Sequence, residues 1–119
     1  MSKRRRTIEL KDYLNDILEM IADVGEFTKG LTLEGFRTDK KTVYAVIRCL
    51  EVIGEASKQI PSNVKKHYEQ IPWEDIAAMR NKLIHEYFGA DVDIFWHTIQ
   101  EDLLPLKTAI KEIKKISSI

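Results

Sequence analysis

The sequence predicts an all-α fold, an antiparallel bundle of four to five helices. Three observations lead there. Apolar residues recur at three- and four-residue spacing along most of the chain, which is the signature of amphipathic helices. No segment alternates apolar and polar residues as a half-buried strand would. Glycine and proline breakers divide the periodic pattern into a handful of segments, with no internal repeat or glycine-rich linker between them. Helices of this kind bury their apolar stripes against one another.

The first helix is expected over roughly residues 7–29, on the stripe Leu10, Leu14, Ile17, Ile21 and Val24, with Gly30 as its stop. The stretch from Leu31 to Arg37, with Gly35 inside it, reads as a connector. Thr38 or Asp39 caps a second helix, which runs to about Ile60, where Pro61 ends it. Its apolar arc is wide (Val43, Val46, Ile47, Leu50, Val52, Ile53, Ala56, Ile60) and predicts contacts on more than one side. Gly54, Ala56 and Ser57 are small enough to let another backbone approach. Ser62 is expected to cap a short helix from Val64 to Tyr68. Pro72 then punctuates the chain, and Trp73 opens a helix reaching about His85. Gly89 and Asp91 mark the next break. The last helix carries Val92, Trp96, Ile99, Leu103, Leu106, Ile110 and Ile113, a spacing of about 3.5 residues as in bundle packing. Pro105 sits inside it and predicts a kink.

At 119 residues the chain reads as one domain over 1–119. Composition is that of an ordinary globular protein, 44% hydrophobic and 32% charged. Formal net charge is zero, so no global basic field announces nucleic acid, and an RNA-binding case rests on local features. One local feature is the basic run Lys3-Arg4-Arg5-Arg6. It reads as a flexible, solvated tail over 1–6, with a phosphate contact as the second reading. No apolar stretch follows it, so it is not a signal peptide. No segment approaches the roughly 20 apolar residues a membrane span needs. Cys49 is the only cysteine, which excludes an intrachain disulfide and a cysteine-rich zinc site. Its apolar neighbours predict a buried thiol, and a cytoplasmic location is the default expectation.

The richest chemistry lies in Arg80-Asn81-Lys82-Leu83-Ile84-His85-Glu86-Tyr87. Arginine offers a permanently charged donor fork suited to phosphate, and histidine exchanges a proton near neutral pH. Together they suit phosphodiester cleavage without a metal. On an ideal helix Arg80 and Tyr87 fall about 20° apart, but Arg80 and His85 about 140° apart. Spacing alone does not bring the latter pair together. Three explanations stay open: the helix ends near His85, the arginine reaches around, or a second copy of the chain completes the site. Structural roles compete with the chemical ones. Arg80 could pair with Glu51 or Glu55, His85 could cap a helix C-terminus, and Tyr87 could be a half-buried core aromatic. Other chemistries fare worse. His85-Glu86 lacks the second histidine of a zincin, since Gly89 stands there. His67 and His97 show no ligand spacing with His85, and neither a phosphate-binding glycine loop nor a triad context is present. Trp96 and His97 read as packing and surface residues.

Several stretches together resemble the HEPN superfamily, and within it the HepT-like toxin ribonucleases of prokaryotic toxin–antitoxin pairs. These are Asp16-Ile17-Leu18, Ala45 to Ala56 ending in Ile53-Gly54-Glu55-Ala56, Ile71-Pro72-Trp73, Met79 to Tyr87, and Val92-Asp93 to Leu106. The family's Arg-x4–6-His-x-Tyr motif falls on Arg80, His85 and Tyr87, and its polar residue after the arginine falls on Asn81. The resemblance implies a HEPN bundle that dimerises, with motif helices of two subunits lining one composite cleft. It implies a metal-independent endoribonuclease acting on RNA, with Arg80 and His85 catalytic and Asn81 supporting. Glu55 is taken as a second support, beside Arg80. The implied partner is an MntA-like nucleotidyltransferase antitoxin that transfers AMP from ATP to Tyr87, as in type VII-like pairs. No resident cofactor or metal is expected. The competing expectations are a non-catalytic HEPN interaction module and a nucleotide-binding helical protein.

Overall fold

The computed structural model describes residues 9–78 and 91–117. All regular secondary structure among these residues is helical. Helix α1 spans Leu10–Thr28, α2 Leu33–Thr38, α3 Lys40–Ser57 and α4 Ser62–Lys65, followed by a 3-10 turn over Lys66–Tyr68. Residues 73–78 are helical and are called α5. Helices α6 and α7 span Asp91–Glu101 and Leu103–Ser117.

The first helix forms as its stripe predicts. Leu14, Ile17, Ile21 and Val24 are buried, and α1 lies between α3 and α7. At its start the backbone N–H of Glu9 donates to Asp12 Oδ2 at 2.8 Å, satisfying a donor that helix geometry leaves free. At its end Gly30 takes φ +77°, the left-handed residue that terminates many helices. A Cβ added there would meet nothing within 4 Å, so only the backbone resists a side chain. Gly30→Ala is therefore expected to destabilise by about 1 kcal/mol, read from urea unfolding. An unchanged midpoint would mean the turn does not depend on a left-handed residue.

The connector expected over 31–37 is instead a helix. Thr32 Oγ1 accepts the N–H of Gly35 at 3.1 Å and starts α2, while Phe36 inside it is fully buried. A six-residue helix has too few turns for apolar periodicity to announce it. Asp39 closes α2 and opens α3, accepting both the backbone N–H and the hydroxyl of Thr42 at 3.1 and 2.7 Å. These hydrogen bonds hold the Asp39 carboxyl below its ordinary range. Of the two expected caps, Asp39 performs the role. The α3 helix ends at Ser57, earlier than the Ile60 expected, and Gln59 and Ile60 complete the turn by donating to the carbonyls of Ala56 and Ser57. Its burial is two-sided, as the arc implied: Val46, Leu50 and Ile53 are buried together with Cys49 and Ala56. Burial pushes the Cys49 thiol up in pKa. Ser62 is not a cap. It is the first residue of α4, preceded by Pro61, a proline fitting an extended position just before a helix.

The last apolar stripe is divided between two helices. Pro105 has no N–H to return to the carbonyl of Glu101, and its ring crowds that position. The expected kink thus takes the form of a break at Asp102, whose own N–H still donates to Thr98 O at 2.9 Å. Pro105 is left in the first turn of α7, where an absent donor costs nothing. Phe95, outside the predicted stripe, is fully buried, whereas Trp96 is partly exposed. Among the described residues no buried side-chain polar atom lacks a hydrogen-bond partner, and no helix is long and apolar enough to cross a membrane.

Candidate functional site

Arg80, Asn81, His85 and Tyr87 lie outside the described residues. The structure describes the frame on either side of them, and Glu55.

The upstream limb is pinned where the chain enters α5. Ile71 and Ile76 are each 2% exposed, and the N–H of Ile76 closes the first turn on Pro72 O at 3.0 Å. Trp73 Nε1 donates to Tyr68 O at 3.0 Å, which fixes the indole, and the Lys65 ammonium lies 5.6 Å from the ring centroid. Desolvation lowers the pKa of that ammonium. Tyr68 in turn donates its hydroxyl to Glu112 Oε1 at 2.7 Å, tying this limb to α7. Accepting that bond, Glu112 holds the phenol above its ordinary pKa.

The downstream limb begins with α6. Val92 and Phe95 are buried, and the Trp96 ring lies 5.2 Å from that of Phe36. Arg37 of α2 grips Asp93 of α6 through two bonds, Nε to Oδ1 at 2.9 Å and Nη2 to Oδ2 at 2.6 Å. The two limbs face one another across a cavity of about 340 Å³ lined by Pro72, Asp75 and Ile76 on one side and Phe95, Thr98 and Asp102 on the other. Burial pushes the Asp102 carboxyl up in pKa, against the pull of His97 and with the repulsion of Asp75.

Glu55 is half-buried on α3 and lines a cleft of about 550 Å³ with Tyr13 and Asp16 of α1 and with Arg48 and Glu51 of its own helix. Glu51 accepts from Arg48 at 2.8 Å. Three carboxylates and one guanidinium thus line this cleft. Its expected role beside Arg80 involves a residue outside the described set. No group of three or more His, Cys, Asp or Glu among the described residues could hold a metal ion.

A profile of the family described as Ribonuclease HepT-like matches residues 17–113. The chain belongs to this family. A Thermococcus cleftensis protein named a probable ribonuclease HepT is 51% identical over 105 residues, covering 88% of this chain and 96% of that protein. A Methanocaldococcus jannaschii protein named as a candidate RNase is 45% identical over 108 residues, covering 91% and 87%. A Caldanaerobacter subterraneus protein, also named as a candidate RNase, is 41% identical over 103 residues, covering 87% and 92%. No solved structure gives a significant match.

The HepT-like match begins inside α1 and takes in Glu55, both limbs of the frame and the positions of Arg80, Asn81, His85 and Tyr87. It leaves out the basic run Lys3–Arg6, which also lies outside the described residues. The Arg37–Asp93 grip was not foreseen from sequence. The one available signal was Thr32 followed by Glu34 in the first turn, a weak helix start.

Proposed function

We propose that this HepT-like chain is an endoribonuclease that cleaves RNA without a metal and serves as the toxin of a two-component pair. The observation that supports this most is a family match spanning residues 17–113 in a chain that keeps Arg80, His85 and Tyr87 at the motif's spacing. In this reading the ribose 2′-oxygen attacks phosphorus while a His85 imidazole takes its proton. The bond from phosphorus to the 5′-oxygen breaks, and that oxygen receives a proton from an imidazole, by turns or from a second copy. Arg80 holds the phosphate and neutralises the charge that grows on it, and Asn81 orients His85 or the phosphate. Glu55 steadies Arg80. A homodimer whose motif segments share one cleft resolves the poor convergence of Arg80 and His85 on a single helix.

The products are a 2′,3′-cyclic phosphate and a 5′-hydroxyl. Digestion of a defined RNA in excess chelator, followed by end-group analysis, tests this. Products with 5′-phosphates, or equal cleavage of DNA that lacks the 2′-hydroxyl, would contradict it.

The silencing step in this reading belongs to a nucleotidyltransferase partner. The Tyr87 oxygen attacks the α-phosphorus of ATP, the phenol proton is lost and pyrophosphate leaves. The added AMP places negative charge and bulk where an anionic backbone must enter. Tyr87→Phe is expected to retain nuclease activity and escape inhibition when incubated with the partner and ATP. If Tyr87→Phe is silenced as fully as wild type, simple binding of the partner is the better account.

A further inference from the structure

The chain's zero net charge is unevenly divided between its helices. Helix α1 holds Asp12, Asp16, Glu19, Asp23 and Glu26 against Lys11 alone, whereas α7 holds Lys107, Lys111, Lys114 and Lys115 against Glu112 alone. At about 100° per residue the α7 lysines fall within an arc of about 100°, beside the buried face of Leu106, Ile110 and Ile113. Leu104, 69% exposed, is the one other residue in that arc. Lys111, Lys114 and Lys115 are exposed and Lys107 is half-buried. Glu112 stands about 60° beyond the arc and accepts the Tyr68 hydroxyl of the 3-10 turn. Its carboxylate is therefore engaged away from the lysines.

Helix chemistry does not ask for this arrangement. Lysine near a helix C-terminus is favoured by the dipole, which accounts for Lys114 and Lys115 in the last turn but not for Lys107 and Lys111. Lys107, Lys111 and Lys115 follow one another at four-residue intervals, where like charges repel and weaken a helix. Among the described residues no ion pair engages these three. A solvated charged face ordinarily mixes the two signs, and this one does not. A row of ammonium groups about 12 Å long suits a polyanion, whose condensed counterions the lysines would displace. An anionic membrane is the weaker candidate. A helix lying in a bilayer surface buries its apolar face there, and that face of α7 is already committed to the core.

We propose that the row Lys107, Lys111 and Lys115, with Lys114 beside it, is a track for the phosphate backbone of an RNA strand, held without regard to base sequence. The inference rests on the ribonuclease reading, to which it adds a binding surface outside the Arg80–Tyr87 motif. The lysines bind and take no part in the bond changes.

The test is fluorescence anisotropy across a salt series with a labelled single-stranded RNA whose riboses are 2′-O-methylated, which removes the attacking hydroxyl. Wild type is compared with Lys107→Gln/Lys111→Gln/Lys115→Gln and with Lys29→Gln/Lys40→Gln/Lys41→Gln. The second triple removes the same charge from exposed positions on either side of α2. Glutamine keeps helix propensity, so Tm should hold in both. Each phosphate contact contributes about 0.7 to the slope of log affinity against log salt, so the track variant should lose about 2 from that slope. Between about 50 and 200 mM salt, wild-type affinity should then fall about 20-fold more than the variant's. The second triple should keep the wild-type slope. An equal loss there would reduce the effect to net charge and overturn the track. Wild-type cleavage of unmodified RNA beside an unchanged slope in the track variant would overturn this proposal alone. Wild type that neither binds nor cleaves RNA would overturn the ribonuclease reading with it. Weaker binding of the track variant to vesicles of anionic phospholipid, with RNA binding intact, would replace RNA by a membrane surface.

Discussion

His85→Ala is expected to lose RNA cleavage by about 10² to 10⁴-fold in the presence of excess chelator, the share that positioned acid–base catalysis supplies. That is about 3 to 5.5 kcal/mol of transition-state stabilisation. Arg80 and Asn81 remain in the variant, so RNA should still bind, and the loss should fall on kcat. A nuclease contaminant would behave oppositely, because it would cleave equally in both preparations made the same way. Silence in wild type and variant alike would favour an interaction module or a nucleotide-binding helical protein. The exception is a wild-type Tyr87 that already carries AMP, which intact mass would reveal. Chelator-resistant cleavage that disappears with one imidazole would place the chemistry at His85.

Phe36→Ala is expected to cost about 3 to 5 kcal/mol of folding stability, out of a total of about 5 to 15 for a domain. Phe36 is fully buried and meets the Trp96 ring at 5.2 Å, so truncation removes apolar burial and leaves a cavity at the junction of α2 and α6. Leu104→Ala provides the contrast. Leu104 is 69% exposed, and its loss should change stability by about 0.5 kcal/mol at most. Urea denaturation of both variants measures the difference. A Phe36→Ala cost under about 1 kcal/mol would mean that the surroundings collapse onto the site, and that α2 is not a fixed part of the core.

The difference between those two residues marks what could be read in advance. The stripe of α1 was legible because a long amphipathic helix repeats its apolar residues often enough to reveal a period. Helix stops were legible at Gly30, where φ is +77°, and near Pro105, where a missing donor breaks the ladder. The α2 helix was illegible because six residues give only two apolar positions, Leu33 and Phe36, and a single interval does not establish a period. Phe95 was passed over for Trp96 because both fit a helical stripe. Only the neighbours of α6 decide which of them faces inward.

For the site, the motif Arg80, Asn81, His85 and Tyr87 was legible as a pattern of residue types, and the family match covers their positions. Glu55 is placed by the structure on the wall of a carboxylate-lined cleft between α1 and α3. By itself the sequence determined the all-helical class, a cap at the start of α3, the breaks at Gly30 and near Pro105, and membership in the HepT-like family. Those properties depend on residues within a few positions of each other, or on a pattern of identities along the chain. Tertiary structure alone decided that Arg37 would close on Asp93, that Phe36 would meet Trp96, and that α5 and α6 would share a cavity lined by Ile76 and Phe95. Each of these joins side chains far apart in sequence, and no local propensity specifies them. They are set when the helices pack and the few orientations that bury every apolar stripe at once are selected.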